Sequence, residues 1–130
     1  MSASLWTPGA ESTYLPPPGT REFHALAYGA AGSVEVSVGC HYNFYLTLTQ
    51  ATSLSNPTGE YRSGDILQFV FTQDATGGRV MTFGNKFHFA AKTVPAFVTT
   101  ANARNYMCAT YFDPADIWIC SWLPNVGVPV

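Results

Sequence analysis

Residues 65–73 read DILQFVFTQ, and this stretch decides the fold of the chain. As a strand it carries apolar side chains on both faces: Leu67, Phe69 and Phe71 on one, and Ile66 and Val70 on the other. Strands of this kind are typical of the centre of a sheet that is covered on both sides. We therefore predict a central β-strand over these residues.

Two stretches before it alternate with a period of two residues. Residues 33–38, SVEVSV, alternate valine with polar residues, which predicts a strand buried on one face. Residues 41–49, HYNFYLTLT, predict a second strand with Phe44, Leu46 and Leu48 pointing inward. No window after the first 22 residues carries a sustained 3.6-residue apolar repeat, so the sequence predicts an all-β domain.

The segments that follow the central strand contain turn residues. Residues 74–78, DATGG, are of types that tolerate positive φ angles, and an apolar run over residues 80–83 comes next. This order predicts a hairpin in which the run returns along the central strand. Residues 87–89 predict a short strand, and residues 94–100 predict an extended, threonine-rich segment.

A closing hairpin is predicted around the loop Asp113-Pro114-Ala115. With a three-residue loop the cross-strand pairs are Phe112 with Asp116, Thr110 with Trp118, Cys108 with Cys120, and Tyr106 with Trp122. This register makes a disulfide geometrically conceivable. A four-residue loop shifts the pairing by one position and removes that possibility.

The cysteines point to no metal site. The chain has three, Cys40, Cys108 and Cys120, and their spacing matches no zinc-ligand pattern. The chain is not dense enough in cysteine to be a disulfide scaffold. We therefore expect reduced thiols that behave as small buried hydrophobic groups.

Composition limits the classes of protein to which the chain can belong. Of its 130 residues 47% are hydrophobic and 11% are charged, which predicts one folded domain with few charges on its surface. The formal net charge is −2 and no basic run occurs, which argues against nucleic-acid binding. No apolar stretch reaches about 18 residues, and the first residues do not resemble a signal peptide, so we expect neither membrane insertion nor secretion by that route. So little charge suits a protein that is partly covered by other protein.

Residues 1–22 form a different kind of segment from residues 23–130. They are rich in proline and carry no strand or helix period, which predicts an extended N-terminal arm before the β-domain. The arm carries the apolar residues Leu5, Trp6, Tyr14 and Leu15, which we take as candidate anchors on a partner. Packing of the arm on its own domain is the alternative.

No combination of residues points to catalysis, a metal or a cofactor. His24, His41 and His88 stand in no ligand or catalytic motif. Asp113 and Asp116 fit ordinary turn chemistry better than a cation site or an acid pair. The chain is therefore interpreted as a binding or structural protein and not as an enzyme.

The aromatic residues allow a second interpretation. β-Sandwich proteins often use tryptophan and tyrosine as platforms on which sugars stack, and this chain has Trp6, Trp118, Trp122 and seven tyrosines. In a chain so poor in charge, we favour contacts within the sheet and between subunits over glycan binding.

The order of turn motifs between residues 54 and 122 resembles a known family. The motifs are LSNPTG at residues 54–59, GDIL at 64–67, TQDATGGR at 72–79, TFG at 82–84 with Phe87, and TTANA at 99–103, followed by the aromatic hairpin. This order is similar to a β-rich domain of tailed-bacteriophage virion proteins, found in capsid decoration, head-fibre and tail-fibre proteins. The resemblance implies a structural protein with an antiparallel β-sandwich or jelly-roll-like fold, commonly a homotrimer.

Within that family we expect a capsid decoration, or cement, protein. A compact domain with an extended apolar arm suits binding to the major capsid protein on the outer head surface, after assembly in the host cytoplasm, and binding only to the assembled shell would stabilise it. A tail-fibre or head-fibre domain that binds a host glycan is the alternative, as is a neck or baseplate component. Copy number, oligomeric state and host are not specified by the sequence.

Overall fold

The structure is a computed structural model that describes residues 22–39 and 41–129. Its strands are β1 (His24–Ala25), β2 (Ser33–Val34), β3 (Ser37–Val38), β4 (Asn43–Leu48), β5 (Thr52–Leu54), β6 (Thr58–Gly59), β7 (Ile66–Gln73), β8 (Met81–Phe83), β9 (Phe87–His88), β10 (Arg104–Phe112) and β11 (Ile117–Leu123). Three single-turn 3-10 helices span Ala30–Gly32, Ala90–Lys92 and Asp113–Ala115. The predicted all-β class is confirmed. Over the described residues no helix is long and apolar enough to cross a membrane.

The main sheet has six strands in the order β1-β4-β7-β10-β11-β9. The central β7 pairs in parallel with β4 and in antiparallel fashion with β10, which in turn pairs with β11. Two more pairs in this sheet, β1 with β4 and β9 with β11, are parallel. The expected antiparallel arrangement is therefore wrong in part, because the sheet is mixed.

The alternation in β7 divides its side chains between two environments. Leu67, Phe69 and Phe71 are fully buried, whereas Ile66 is 49% exposed and Val70 is half-buried. The prediction that β7 lies at the centre of a sheet is confirmed. Among the described residues the second layer covers only one face of β7, so the prediction that both faces are covered is wrong for this part of the chain.

The second layer consists of a three-stranded sheet, β2-β5-β8, and a two-stranded sheet, β3-β6. The valines predicted to face inward, Val34, Val36 and Val38, are buried here, although the strand is split into β2 and β3. They belong to one core cluster with Phe44, Leu46 and Leu48 of β4, as predicted for that strand. The core therefore lies between the six-stranded sheet and the second layer.

The predicted hairpin between β7 and β8 is wrong. Gly77 and Gly78 do adopt positive φ angles of 73° and 75°, and the Asp74 carboxylate accepts hydrogen bonds from the backbone of the same turn. However, β8 pairs in parallel with β5 in the second layer and not with β7. The turn residues were predicted correctly, but they carry the chain across the core instead of back along the sheet.

The closing hairpin has the shifted register. Asp116 adopts the left-handed conformation at φ 54°, so the loop has four residues and Phe112 pairs with Ile117. Cys108 therefore lies opposite Ser121, and Cys120 lies opposite Ala109. Neighbouring positions along a strand point to opposite faces, so the two thiols are free and the conceivable disulfide is not formed.

Candidate functional site

Charged side chains gather at one end of the six-stranded sheet. This end holds the loops before β4 and β7, the start of β9, and the turn between β10 and β11. Half of the charged residues among the described positions lie here: Glu60, Arg62, Asp65, Lys86, Asp113 and Asp116. In a chain so poor in charge, such a concentration identifies a polar surface that the fold keeps in contact with solvent.

A groove of about 450 Å³ opens at this end. It is lined by two glycines, two tyrosines and three charged residues: Gly39, Gly59, Tyr42, Tyr61, Glu60, Arg62 and Asp65. Both tyrosines are half-buried, while Glu60 and Arg62 are exposed. Aromatic rings surrounded by carboxylate and guanidinium groups give a surface that offers both stacking and hydrogen bonds.

The Tyr61 ring is held from behind by the core. It makes edge contacts with Tyr111, at 4.6 Å between ring centroids, and with Trp118, at 5.0 Å. Trp118 is fully buried, so Tyr61 rests on the end of the hydrophobic core. A ring braced in this way loses little freedom when a ligand stacks on it.

The loop that supplies most of the groove is fixed by backbone hydrogen bonds at both ends. The Glu60 N–H donates to the Val38 carbonyl at 3.1 Å, and the Gly64 N–H donates to the Tyr111 carbonyl at 2.8 Å. Gly59 has a φ of 105°, and a Cβ there would lie 1.9 Å from the Val38 carbonyl oxygen. Only glycine therefore permits this approach of β6 to β3.

Beside the groove, Asp116 joins two neighbours. Its carboxylate accepts hydrogen bonds from the Tyr111 hydroxyl at 2.7 Å and from Lys86 Nζ at 2.6 Å. The hydrogen bond to the Asp116 carboxylate is the main cause that raises the pKa of Tyr111 to about 12, from an ordinary value of 10.0. In return, the hydrogen bond from Lys86, which is the larger cause, and the hydrogen bond from Tyr111 lower the pKa of Asp116.

This arrangement predicts an alkaline transition. Folding raises the pKa of Tyr111, so the stability from its neutral hydroxyl is complete below pH 10.0 and is lost as the pH rises through about 12. In a rapid pH-jump titration of tyrosinate absorbance, we expect Asp116→Asn to move the latest-titrating tyrosine towards pH 10.0. Tyr111→Phe should remove that late step from the wild-type curve and so identify the residue.

Asp113→Asn is the matched control for this titration, because Asp113 makes no hydrogen bond to Tyr111 and only adds a weaker charge effect. Its shift should be clearly smaller. An unchanged late step in Asp116→Asn would contradict the assigned hydrogen bond.

Other residues singled out in the sequence do not join the groove. The rings of His24 and His41 lie with their centroids 3.6 Å apart near β1, and His88 lies in β9. Within the described part of the chain, no three His, Cys, Asp or Glu side chains are placed to hold a metal ion. The candidate arm anchors Leu5, Trp6, Tyr14 and Leu15 lie outside the described residues.

Of the tryptophans considered as possible sugar platforms, Trp6 lies outside the described residues, and the other two pack against aromatic rings of the chain. Trp118 is fully buried, and Trp122 packs between Phe97, at 5.2 Å, and Phe83, at 6.2 Å between centroids. The residues that do line the groove, Tyr42 and Tyr61 above all, were not singled out in the sequence. The run GEYRS at 59–63, polar around one aromatic residue, is the signal that marks Tyr61.

Comparison with known families gives a match over the greater part of the chain. A family described as "Putative phage tail fibre C-terminal domain" matches residues 32–111, which is more than half of the chain. The chain belongs to this tail fibre domain family. It is a structural protein of the phage virion, as the turn motifs suggested. Searches of curated proteins and of solved structures return no match.

The match covers most of the strands described above. It extends from the second layer at β2 through the central β7 to Tyr111 in β10. The groove residues between positions 39 and 65 therefore lie inside the matched region of the tail fibre domain. The closing strand β11 and the segment before β2 lie outside it.

Proposed function

We propose that this chain is the host-binding domain of a phage tail fibre and that the groove at Tyr42, Tyr61 and Arg62 binds a glycan of the host surface. The observation that carries the proposal is the groove, in which Tyr42 and the braced Tyr61 stand beside three charged groups. The family match supports a position in the tail. The fit of the groove to a glycan follows from the chemistry of the residues that line it.

A sugar ring presents an apolar face of C–H groups and a rim of hydroxyls. The rings of Tyr42 and Tyr61 offer surfaces for the apolar face. Carboxylates accept hydrogen bonds from hydroxyls, and the Arg62 guanidinium donates up to five N–H groups. The volume of about 450 Å³ lies within the range of small-ligand sites.

The charged side chains of the groove form no ion pair with another residue that the structure describes. Over residues 22–39 and 41–129 the ion pairs are Arg79 with Asp74 and Lys86 with Asp116. Glu60 and Arg62 belong to neither pair. Asp65 accepts a hydrogen bond from the Arg62 backbone N–H at 2.8 Å, which fixes the loop while the Arg62 guanidinium stays exposed.

Decoration of the outer head surface remains a prediction of the sequence. It depends on Leu5, Trp6, Tyr14 and Leu15 as anchors, and these residues lie outside the described part of the chain. The family match supports the tail-fibre alternative better. Binding to the major capsid protein would be shown by many copies of the chain on decoration-free heads and a higher temperature of genome release.

The test is binding of the full chain to an array of bacterial lipopolysaccharide and capsular oligosaccharides, followed by titration calorimetry on the best binder. We expect Tyr42→Ala and Arg62→Ala each to weaken binding by about 10-fold or more, because stacking or a charge-assisted hydrogen bond is lost. Both side chains reach the surface, so the fold should be retained.

Arg104→Ala is the matched control. Arg104 is an exposed arginine at the far end of the sheet, where it pairs with Thr72, and its loss should leave binding unchanged. Absence of binding to every surface glycan, or binding that is insensitive to both groove variants, would refute the proposal.

A further inference from the structure

The outer face of the six-stranded sheet, opposite the core, carries a row of large side chains. By register, Tyr45 of β4 pairs with Val70 of β7, Val70 with Tyr106 of β10, and Tyr106 with Leu123 of β11. Tyr45 is 44% exposed and Leu123 is 57% exposed. The row therefore crosses all four long strands, with half-buried Val70 and Tyr106 between exposed residues at its two ends.

A second row runs along the same outer face. Ile66 pairs with Thr110, and Thr110 pairs with Ile119, which is 52% exposed. Phe112 stands exposed on the same face at the end of β10. More than half of the large apolar side chains that are exposed in the described part of the chain therefore lie on this one face.

The face is almost free of charge. Along β4, β7, β10 and β11 the single charged residue is Arg104, at the margin beside Thr72. One of its polar contacts is made within the face: the Tyr106 hydroxyl donates to Gln68 Oε1 at 3.0 Å. A neutral face of this kind meets a second copy of itself without like-charge repulsion, whereas it offers nothing to a charged partner.

The size of the face also suits a protein contact. The four long strands cover about 19 Å by 24 Å, at about 4.8 Å per strand and 3.4 Å per residue. This gives roughly 450 Å² in projection, and the relief of the side chains adds to it. Specific interfaces need about 1,000 Å² in total, or about 500 Å² per partner, so one such face on each of two copies is sufficient.

We propose that this outer face packs against a second copy of the chain and holds a homo-oligomer together. The pattern of β7 then has an explanation, since Ile66 and Val70 are covered by the second copy while Leu67, Phe69 and Phe71 are covered within the chain. The contact uses different residues from the glycan groove. It therefore stands or falls independently of the proposed function.

The test measures the mass of the full chain by sedimentation equilibrium over a range of concentrations. We expect the wild type to be an oligomer, and Leu123→Glu and Ile119→Glu each to weaken association by at least about 30-fold, because each places a carboxylate in a dry contact. Val80→Glu is the matched control, since Val80 is also 57% exposed but precedes β8 in the second layer. Thermal melts establish that all variants fold.

The reactivity of Cys108 is a second, independent measurement of the same contact. It lies on the outer face between Gln68 and Ser121 and is half-buried in the single chain. Alkylation mapped by mass spectrometry should be slow at Cys108 in the wild-type oligomer and faster in Leu123→Glu. Peptide mapping separates it from Cys40 and from the buried Cys120.

Three outcomes would overturn the proposal. A wild-type chain that stays monomeric at high concentration would show that no second copy binds the outer face. A monomer in which Cys108 is nevertheless protected shows that residues 1–21 cover the face instead. An oligomer that survives both carboxylate variants, with Cys108 equally reactive in all forms, shows that the copies meet through another surface.

Discussion

Replacement of Trp118 by alanine is expected to lower the free energy of unfolding by about 3–5 kcal/mol, as for other large aromatic residues in cores. Trp118 is fully buried in β11, and its ring contacts Tyr111 and Tyr61, each at 5.0 Å between centroids. The variant removes the support behind Tyr61 as well as core volume. The groove should therefore lose its fixed tyrosine even where the chain still folds.

Urea unfolding followed by circular dichroism measures the effect, together with a fall in melting temperature of about 10–20 °C. Trp118→Phe is the matched variant, since it keeps an aromatic ring against Tyr61 and should lose clearly less stability. If the alanine variant lost less than about 1 kcal/mol, the site would have to collapse without leaving a cavity, and the packing described for Trp118 would be contradicted.

The parts of the fold that sequence predicts well are those that depend on local alternation. In β4 the positions of Phe44, Leu46 and Leu48 determine which face is buried, because a strand has a fixed period of two and water excludes apolar side chains. The same reasoning identified β7 as the central strand. Neither prediction requires knowledge of which strand lies alongside.

The predictions that are wrong concern strand pairing, which depends on the conformation of a single turn residue or on residues distant in the sequence. The closing hairpin shifted by one position because Asp116 takes the left-handed conformation and lengthens the loop, and this separates Cys108 from Cys120. The run at β8 looked like the return strand of a hairpin, yet it pairs with β5. Local turn chemistry cannot distinguish these outcomes, since the same glycines permit both.

The candidate groove was the least predictable feature. Tyr42 and Tyr61 are separated in the sequence by β4, β5 and β6, and they line the same groove because β4 and β7 are parallel neighbours that start at the same end of the sheet. The sequence suggests the tryptophans as possible platforms for sugars, but Trp118 is fully buried in the core. A tyrosine becomes a surface platform through what packs behind it, and that information is tertiary.

Asn105→Ala is expected to destabilise the domain by about 3–4 kcal/mol, because hydrogen-bond partners are removed from both backbone groups of the half-buried Val98 and from the N–H of Asn125. Asn105 is fully buried in β10. Its Oδ1 accepts hydrogen bonds from the N–H groups of Val98, at 3.2 Å, and Asn125, at 3.1 Å, and its Nδ2 donates to the Val98 carbonyl at 3.0 Å. Together with the hydrogen bond from the Gly78 N–H to the Thr99 carbonyl at 2.7 Å, this side chain holds residues 94–100, which form no strand.

Hydrogen exchange at the Val98 and Asn125 amides gives the decisive measurement, because loss of Asn105 should speed exchange there more than at Phe69 in the core. Val98→Ala is the matched control: it shortens the side chain but keeps both backbone hydrogen bonds, so exchange at Asn125 should stay slow. Asn105→Asp loses only the bond to the Val98 carbonyl and still accepts from the Val98 and Asn125 N–H groups, so it should protect these two amides better than the alanine variant does. Slow exchange at both amides in Asn105→Ala would show that the segment is held by its own packing and not by the amide of Asn105.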